Sequence, residues 1–219
     1  MGYKHSKATV SNVETSISYL IIIDTLKHMS YQNTLTAKLE IIEQIWKEHP
    51  SPQQWLSIAH IVDKTILTLI IHRVDAVNKL LFLDIPLSDR LVKTLIYTKA
   101  NKCLDSVQFT PCQCIDIANT IYSHFYHDYM FLSVSLKTIY ATALECLNSE
   151  HMVTIGDPNE QDPISYEQIT SPFLMCNNPT RTHTYNKNTY QEYLRIQKAN
   201  AIYCPVCRSL MRPYLYTIV

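Results

Sequence analysis

The sequence predicts a mostly α-helical chain, a multi-helix N-terminal domain followed by a small metal-stapled C-terminal module, and three observations carry that expectation. Only two glycines occur in 219 residues, which removes the usual residue for positive-φ hairpin turns and argues against an all-β sandwich or barrel. Apolar residues between about Val10 and Asn148 recur at helical spacing. The last quarter changes texture and carries Cys204-Pro-Val-Cys207, a pair of thiols spaced to turn onto one ion.

The helices follow one another in order. Leu35, Leu39, Ile42 and Trp46 form one apolar stripe at i, i+4, i+7 and i+11. Pro50 and Pro52 then break the chain. A segment starting near Ser51 carries Trp55, Ile58, Val62, Ile66, Leu69, Val74, Val77 and Leu81, apolar on more than one face in its middle, as expected of a central buried helix. Pro86 ends it, and Leu91, Leu95 and Ile96 continue the pattern in a further helix. Thr110-Pro111 is a start signal, the Thr hydroxyl capping and the Pro at the first helical position, for a helix reaching as far as Leu147. The segment 149–161 is polar, holds Gly156 and Pro158, and lacks apolar periodicity, so it is expected to link a helical domain over 1–148 to a second domain over 162–219.

Charge and composition narrow the function classes. With 19 basic and 19 acidic residues the formal charge is zero, and no electrostatic footprint for nucleic acid is visible. No stretch free of Lys, Arg, Asp and Glu approaches the ~20 apolar residues of a membrane span, and the apolar run Ile17–Ile23 lacks the cleavage site of a secretory signal. Seven cysteines without disulfide-framework spacing fit a reducing cytoplasmic or nuclear compartment. The abundance of Ile, Asn, Thr and Tyr is compatible with an AT-rich genome such as that of many large viruses.

The Cys204/Cys207 pair needs two more ligands, and Cys176 and His183 precede it across a helix-like segment. In that segment Asn188 is the expected cap, Gln191 stands at the capping-box position, and Tyr190, Tyr193 and Leu194 line one face. Three sulfurs and one imidazole make a closed site with no open position, which points to one structural Zn2+ rather than a hydrolytic metal. A module of about fifty residues also buries too little apolar surface to stand without such a staple. The alternative is a pair of core cysteines and a surface histidine that never meet.

Asp162-Pro163-Ile164-Ser165, Glu167, Ile169, Pro172, Cys176, His183-Thr184-Tyr185, Leu194 and Cys204-Pro205-Val206-Cys207-Arg208 run in the order of the RING/U-box superfamily. The pattern resembles most closely the one-zinc SP-RING and U-box-like ligase domains, over about a quarter of the chain. The resemblance implies a mostly α protein ending in a small ββα zinc-stabilised RING/U-box-like domain. Asp162 stands where the first cysteine of a two-zinc RING would be. Cys176 and His183 are separated by six residues, Asn177 to Thr182, where the family has one.

The resemblance further implies a ubiquitin or SUMO ligase. A charged conjugating enzyme would dock on Ile164, Tyr193 or Leu194, and Pro205, and the Arg208 guanidinium would bridge that enzyme to the donor ubiquitin, a role suited to its planar donors. Such a ligase has no nucleophile and works by orienting the thioester. A protein substrate or partner would be recruited by the helices. Arg208 favours ubiquitin, and the missing first zinc site favours SUMO, for which the helices would bind an SMC-like coiled coil. The competing expectation is a non-enzymatic assembly protein, viral or otherwise, whose zinc module only docks onto another chain. In the same balance, Ile164 is a core residue and Arg208 a solvated charge.

Two weaker patterns remain. Cys112, Cys114, His124 and His127 suggest a second metal cluster, but on one helix Cys114 and His124 stand ~15 Å apart, too far to share an ion. Met1-Gly2-Tyr3-Lys4-His5-Ser6 fits the pattern for myristoylation at Gly2, although the aromatic residue after the glycine suits the transferase poorly. A single acyl chain would anchor only marginally.

Overall fold

The computed structural model describes residues 21–125 and 132–218, except 23, 27, 30–34, 157 and 159. The start of the helical series at Val10, the acylation pattern at Gly2 and His127 lie outside the described residues. The chain divides into two compact units, Met1–Ile85 and Pro86–Val219.

In the first unit, α1 (Leu35–Lys47) buries Ile42 and Ile45, and the Trp46 indole N–H donates to the Leu83 carbonyl at 2.9 Å. Helix α2 (Pro52–His72) starts at a full capping box, in which Ser51 and Gln54 satisfy each other's backbone N–H. It buries Ile58, Val62, Ile66, Leu69 and Ile70. Among the described residues, α2 alone is long and apolar enough by length and composition to cross a membrane; Asp63 and Lys64 interrupt it midway. The expected continuation through Val74 to Leu81 is a separate helix, α3 (Val74–Leu81), because Arg73 leaves helical geometry at φ −148°.

The second unit opens with α4 (Asp89–Tyr97), where the Ser88 hydroxyl caps Leu91 N–H. Helix α5 (Pro111–Phe125) begins as expected, with Thr110 and Gln113 forming reciprocal side-chain to backbone bonds. It does not run to Leu147. Leu132 and Ser133 are not helical, and α6 (Val134–Cys146) starts anew behind Ser133, whose hydroxyl accepts from Leu136 N–H and so marks a fresh N-terminus.

The expected linker at 149–161 also differs from what is found. Met152–Ile155 in it is strand β1, and it pairs in parallel with the C-terminal strand β4 (Leu215–Ile218). Between them in sequence come β2 (Phe173–Met175), β3 (Thr184–Asn186) and α7 (Lys187–Gln197). The sheet order is β1-β4-β2-β3, with β2 antiparallel to both β3 and β4. The expected ββα core is present as β2, β3 and α7, widened into a four-stranded mixed sheet. Phe173, Ile169 and Tyr216 form its apolar centre, with Ile155, Met175 and Ile218 packed around them. Helices α5 and α6 belong to the same compact unit, Pro86–Val219.

Candidate metal centre

Cys176 follows β2, His183 precedes β3, and Cys204 and Cys207 lie on the loop after the 3-10 turn Lys198–Ile202 that ends α7. Strand pairing brings the first two together: Cys176 N–H donates to the His183 carbonyl at 3.0 Å. The loop between them has six residues, and it closes because Asn178 organises it. Its Oδ1 accepts from Thr180 N–H at 2.9 Å, Thr180 Oγ1 at 2.7 Å and Arg181 N–H at 3.2 Å, an Asx turn that replaces backbone pairing. The second pair is shaped by a tight knuckle, with Arg208 N–H bonded to the Cys204 carbonyl at 2.9 Å and Cys204 N–H to the Ser209 carbonyl at 2.8 Å.

The four ligand atoms lie within 4.8 Å of one another. Cys176 Sγ is 3.7 Å from Cys207 Sγ and 3.7 Å from His183 Nδ1, and Cys204 Sγ is 3.6 Å from the same nitrogen. A regular tetrahedron with metal–sulfur bonds of about 2.3 Å and a metal–nitrogen bond of about 2.05 Å has edges of about 3.8 Å between sulfurs and about 3.6 Å from sulfur to nitrogen. These three edges therefore match a tetrahedral cation site, and the sulfurs are far too distant for a disulfide. The four residues could hold one metal ion, with Nδ1 as the imidazole donor. The alternative in which the cysteines and the histidine never meet is overturned.

Hydrogen-bond donors surround the sulfurs. His183 N–H donates to Cys176 Sγ at 3.1 Å and Cys207 N–H to Cys204 Sγ at 3.5 Å, while Ser209 Oγ lies 3.1 Å from Cys207 Sγ. Tyr185, fully buried, places its hydroxyl 2.9 Å from Cys204 Sγ. The bond with Cys204 lowers the Cys176 thiol to about 4 against the upward push of burial; Cys204 itself is pushed up, by Cys176 and by burial. Burial raises Cys207, but bonds from Ser209 and Asn178 prevail and lower it. Burial pulls His183 down, yet the sulfurs of Cys176 and Cys207 leave it raised. A bound cation would displace the protons that the sulfurs carry without it.

Between the loop at Asp162 and β3 stands a hydrogen-bonded knot. Asp162, fully buried, accepts from Ile164 N–H at 2.8 Å and Ser165 N–H at 3.3 Å on Oδ1, and from Asn186 N–H at 2.8 Å on Oδ2. Asn186 Oδ1 accepts from Thr170 N–H at 2.7 Å, and its amide donates to the Gln168 carbonyl at 3.2 Å. Thr184 Oγ1 donates to Glu160 at 2.6 Å. Asn186, not the expected Asn188, flanks the start of α7, and it makes no side-chain cap because its amide is used in this knot.

The other expected site residues separate. Ile164, Tyr193 and Pro205 are half-buried and Arg208 is exposed. Leu194 is 1% exposed and packs into the core, so of the two residues expected on α7 only Tyr193 offers surface; its ring stands 5.6 Å from that of Tyr190. Arg208 adopts φ 61°, the left-handed region that glycine occupies at least cost. Cys114 is buried, its thiol pushed up to about 12 by burial first and by Cys146 second, and His124 faces Asp89 at 3.3 Å. Among the described residues, no second group of His, Cys, Asp and Glu converges as the first does.

Sequence reasoning gave no role to Tyr185, Asn178 or the Asp162 carboxylate. The Asp-Pro-Ile-Ser segment did carry a signal, since an Asp before a turn commonly bonds backbone N–H groups two and three residues on. Comparison with known proteins finds no matching family model, no similar curated protein and no similar solved structure.

Proposed function

We propose that the chain is a ubiquitin-type ligase, transferring ubiquitin or SUMO, whose one-zinc RING/U-box-like module recruits a charged conjugating enzyme. The observation that carries this reading is the three-sulfur, one-nitrogen tetrahedron closed by a Cys-Pro-Val-Cys-Arg knuckle with its arginine exposed. Three thiolates and an imidazole in tetrahedral array suit zinc, and four filled positions make it structural. The Asp162 knot supports the one-zinc form, because it ties the first loop to β3 by hydrogen bonds instead of a second ion.

In this reading Ile164, Tyr193 and Pro205 contact the conjugating enzyme, and Arg208 holds the donor ubiquitin against it. The reaction needs no protein nucleophile. The substrate amine attacks the conjugating enzyme's thioester, the thiolate leaves, and the ligase contributes by restricting the thioester to reactive orientations. The unit over residues 1–85 then serves for a substrate or partner.

Transfer assays with a panel of ubiquitin- and SUMO-conjugating enzymes test the proposal. Chain-dependent transfer that falls at least about tenfold in Arg208→Ala and Ile164→Ala, with both variants still holding metal, is the expected result. No transfer and no binding with any conjugating enzyme would overturn it and leave the assembly role.

A further inference from the structure

Two tyrosine hydroxyls and one lysine reach from α5 and α6 to residues beside the metal ligands. Tyr140, fully buried on α6, donates to the Met211 carbonyl at 2.6 Å. Met211 is the residue paired with Cys176 across a β-bridge, and its own N–H is bonded to the Ile202 carbonyl at 2.9 Å. Tyr122 on α5 donates to Asn177 Oδ1 at 3.0 Å, and Asn177 is the first residue of the six-residue loop between Cys176 and His183. The Lys137 ammonium sits 5.6 Å from the ring centre of Tyr203, which directly precedes Cys204. The helices thus grip neighbours of ligands from both halves of the site.

We infer that α5 and α6 are the scaffold of the metal centre, and that Tyr140 and Tyr122 are positioning residues for its ligand loops. This rests on the metal reading above. The physical argument is one of burial. Met211 is fully buried, and removing the Tyr140 hydroxyl strips its carbonyl of a partner that water cannot readily replace. The bridge that pairs Met211 with Cys176 then loses a fixed point, and Tyr122→Phe frees the loop that follows Cys176. Residues that orient ligands in this way commonly alter metal affinity by about 10–100-fold. The metal-binding part of the chain is accordingly not an independent fifty-residue module but the unit from Pro86 onward.

The test uses the full-length chain loaded with zinc and measures the rate of metal transfer to a chromophoric chelator under native conditions. Tyr140→Phe and Tyr122→Phe are compared with wild type and with Ala118→Gly, a buried α5 position where the change weakens the helix without touching a hydroxyl. Release at least about tenfold faster in both tyrosine variants than in Ala118→Gly, at matched unfolding midpoints, is the expected outcome. Wild-type protein that holds metal while the tyrosine variants release it at the wild-type or the Ala118→Gly rate would overturn the inference alone. Wild-type protein that holds no metal would overturn the metal reading itself.

Discussion

Replacing Tyr185 with Phe removes one oxygen atom from the support of a ligand sulfur and changes nothing else of comparable size. The hydroxyl lies 2.9 Å from Cys204 Sγ in a fully buried position, and the ring itself packs against Tyr190 with centroids 5.2 Å apart, a contact that a phenyl ring keeps. With a cation bound, Cys204 is a thiolate and the Tyr185 hydroxyl donates to it. A hydrogen bond to a charged partner contributes about 1.5–3 kcal/mol, and no water can reach the vacated place. The metal-bound state therefore loses about 1.5 kcal/mol or more, which is roughly tenfold or greater in dissociation constant. Competition with a chromophoric chelator reads this directly, and the metal-bound melting temperature should fall in parallel. A dissociation constant equal to that of wild type would refute the reasoning, since it would mean that the hydroxyl does not support the sulfur.

Further outcomes follow from the same geometry. Chelation should destabilise the protein by about 4 kcal/mol if the ion is normally present at about a thousand times its dissociation constant, seen in calorimetry as a drop of roughly 10–15 °C for a unit of this size. Asp162→Asn keeps the size of the side chain but leaves one of its three backbone donors facing an amide nitrogen, and denaturant unfolding should show a loss of about 2 kcal/mol with the metal still bound. Arg208→Gly relieves a left-handed conformation at φ 61°, so stability should rise by about 1 kcal/mol while ubiquitin or SUMO transfer falls, separating the fold from the activity in one variant.

What was legible in the sequence was whatever is encoded over a few residues. The Ser51 and Thr110 starts are local side-chain to backbone exchanges, and both stand as expected. The four ligands cluster within a short span and are constrained by chemistry, so their convergence could be read from residue type and spacing. The parallel pairing of Met152–Ile155 with Leu215–Ile218 joins segments at opposite ends of the module, and a four-residue strand carries no record of so distant a partner. One helix was expected from Pro111 to Leu147 on its start signal alone, and the Ser133 cap that begins α6 was the signal against it. Leu194 and Tyr193 share one helix face by periodicity alone; only packing sends the first into the core and leaves the second at the surface. The grip of Tyr122 and Tyr140 on the ligand loops depends on how α6 packs against α5, α7 and the 3-10 turn Lys198–Ile202, which no local pattern states.

X-ray absorption at the zinc edge, on the purified full-length chain shown folded by circular dichroism, tests the central claim most directly. The account predicts one zinc per chain, with three sulfur neighbours at about 2.3 Å and one nitrogen at about 2.0 Å. A folded protein free of metal, or one whose ion is ringed by oxygen, would contradict it.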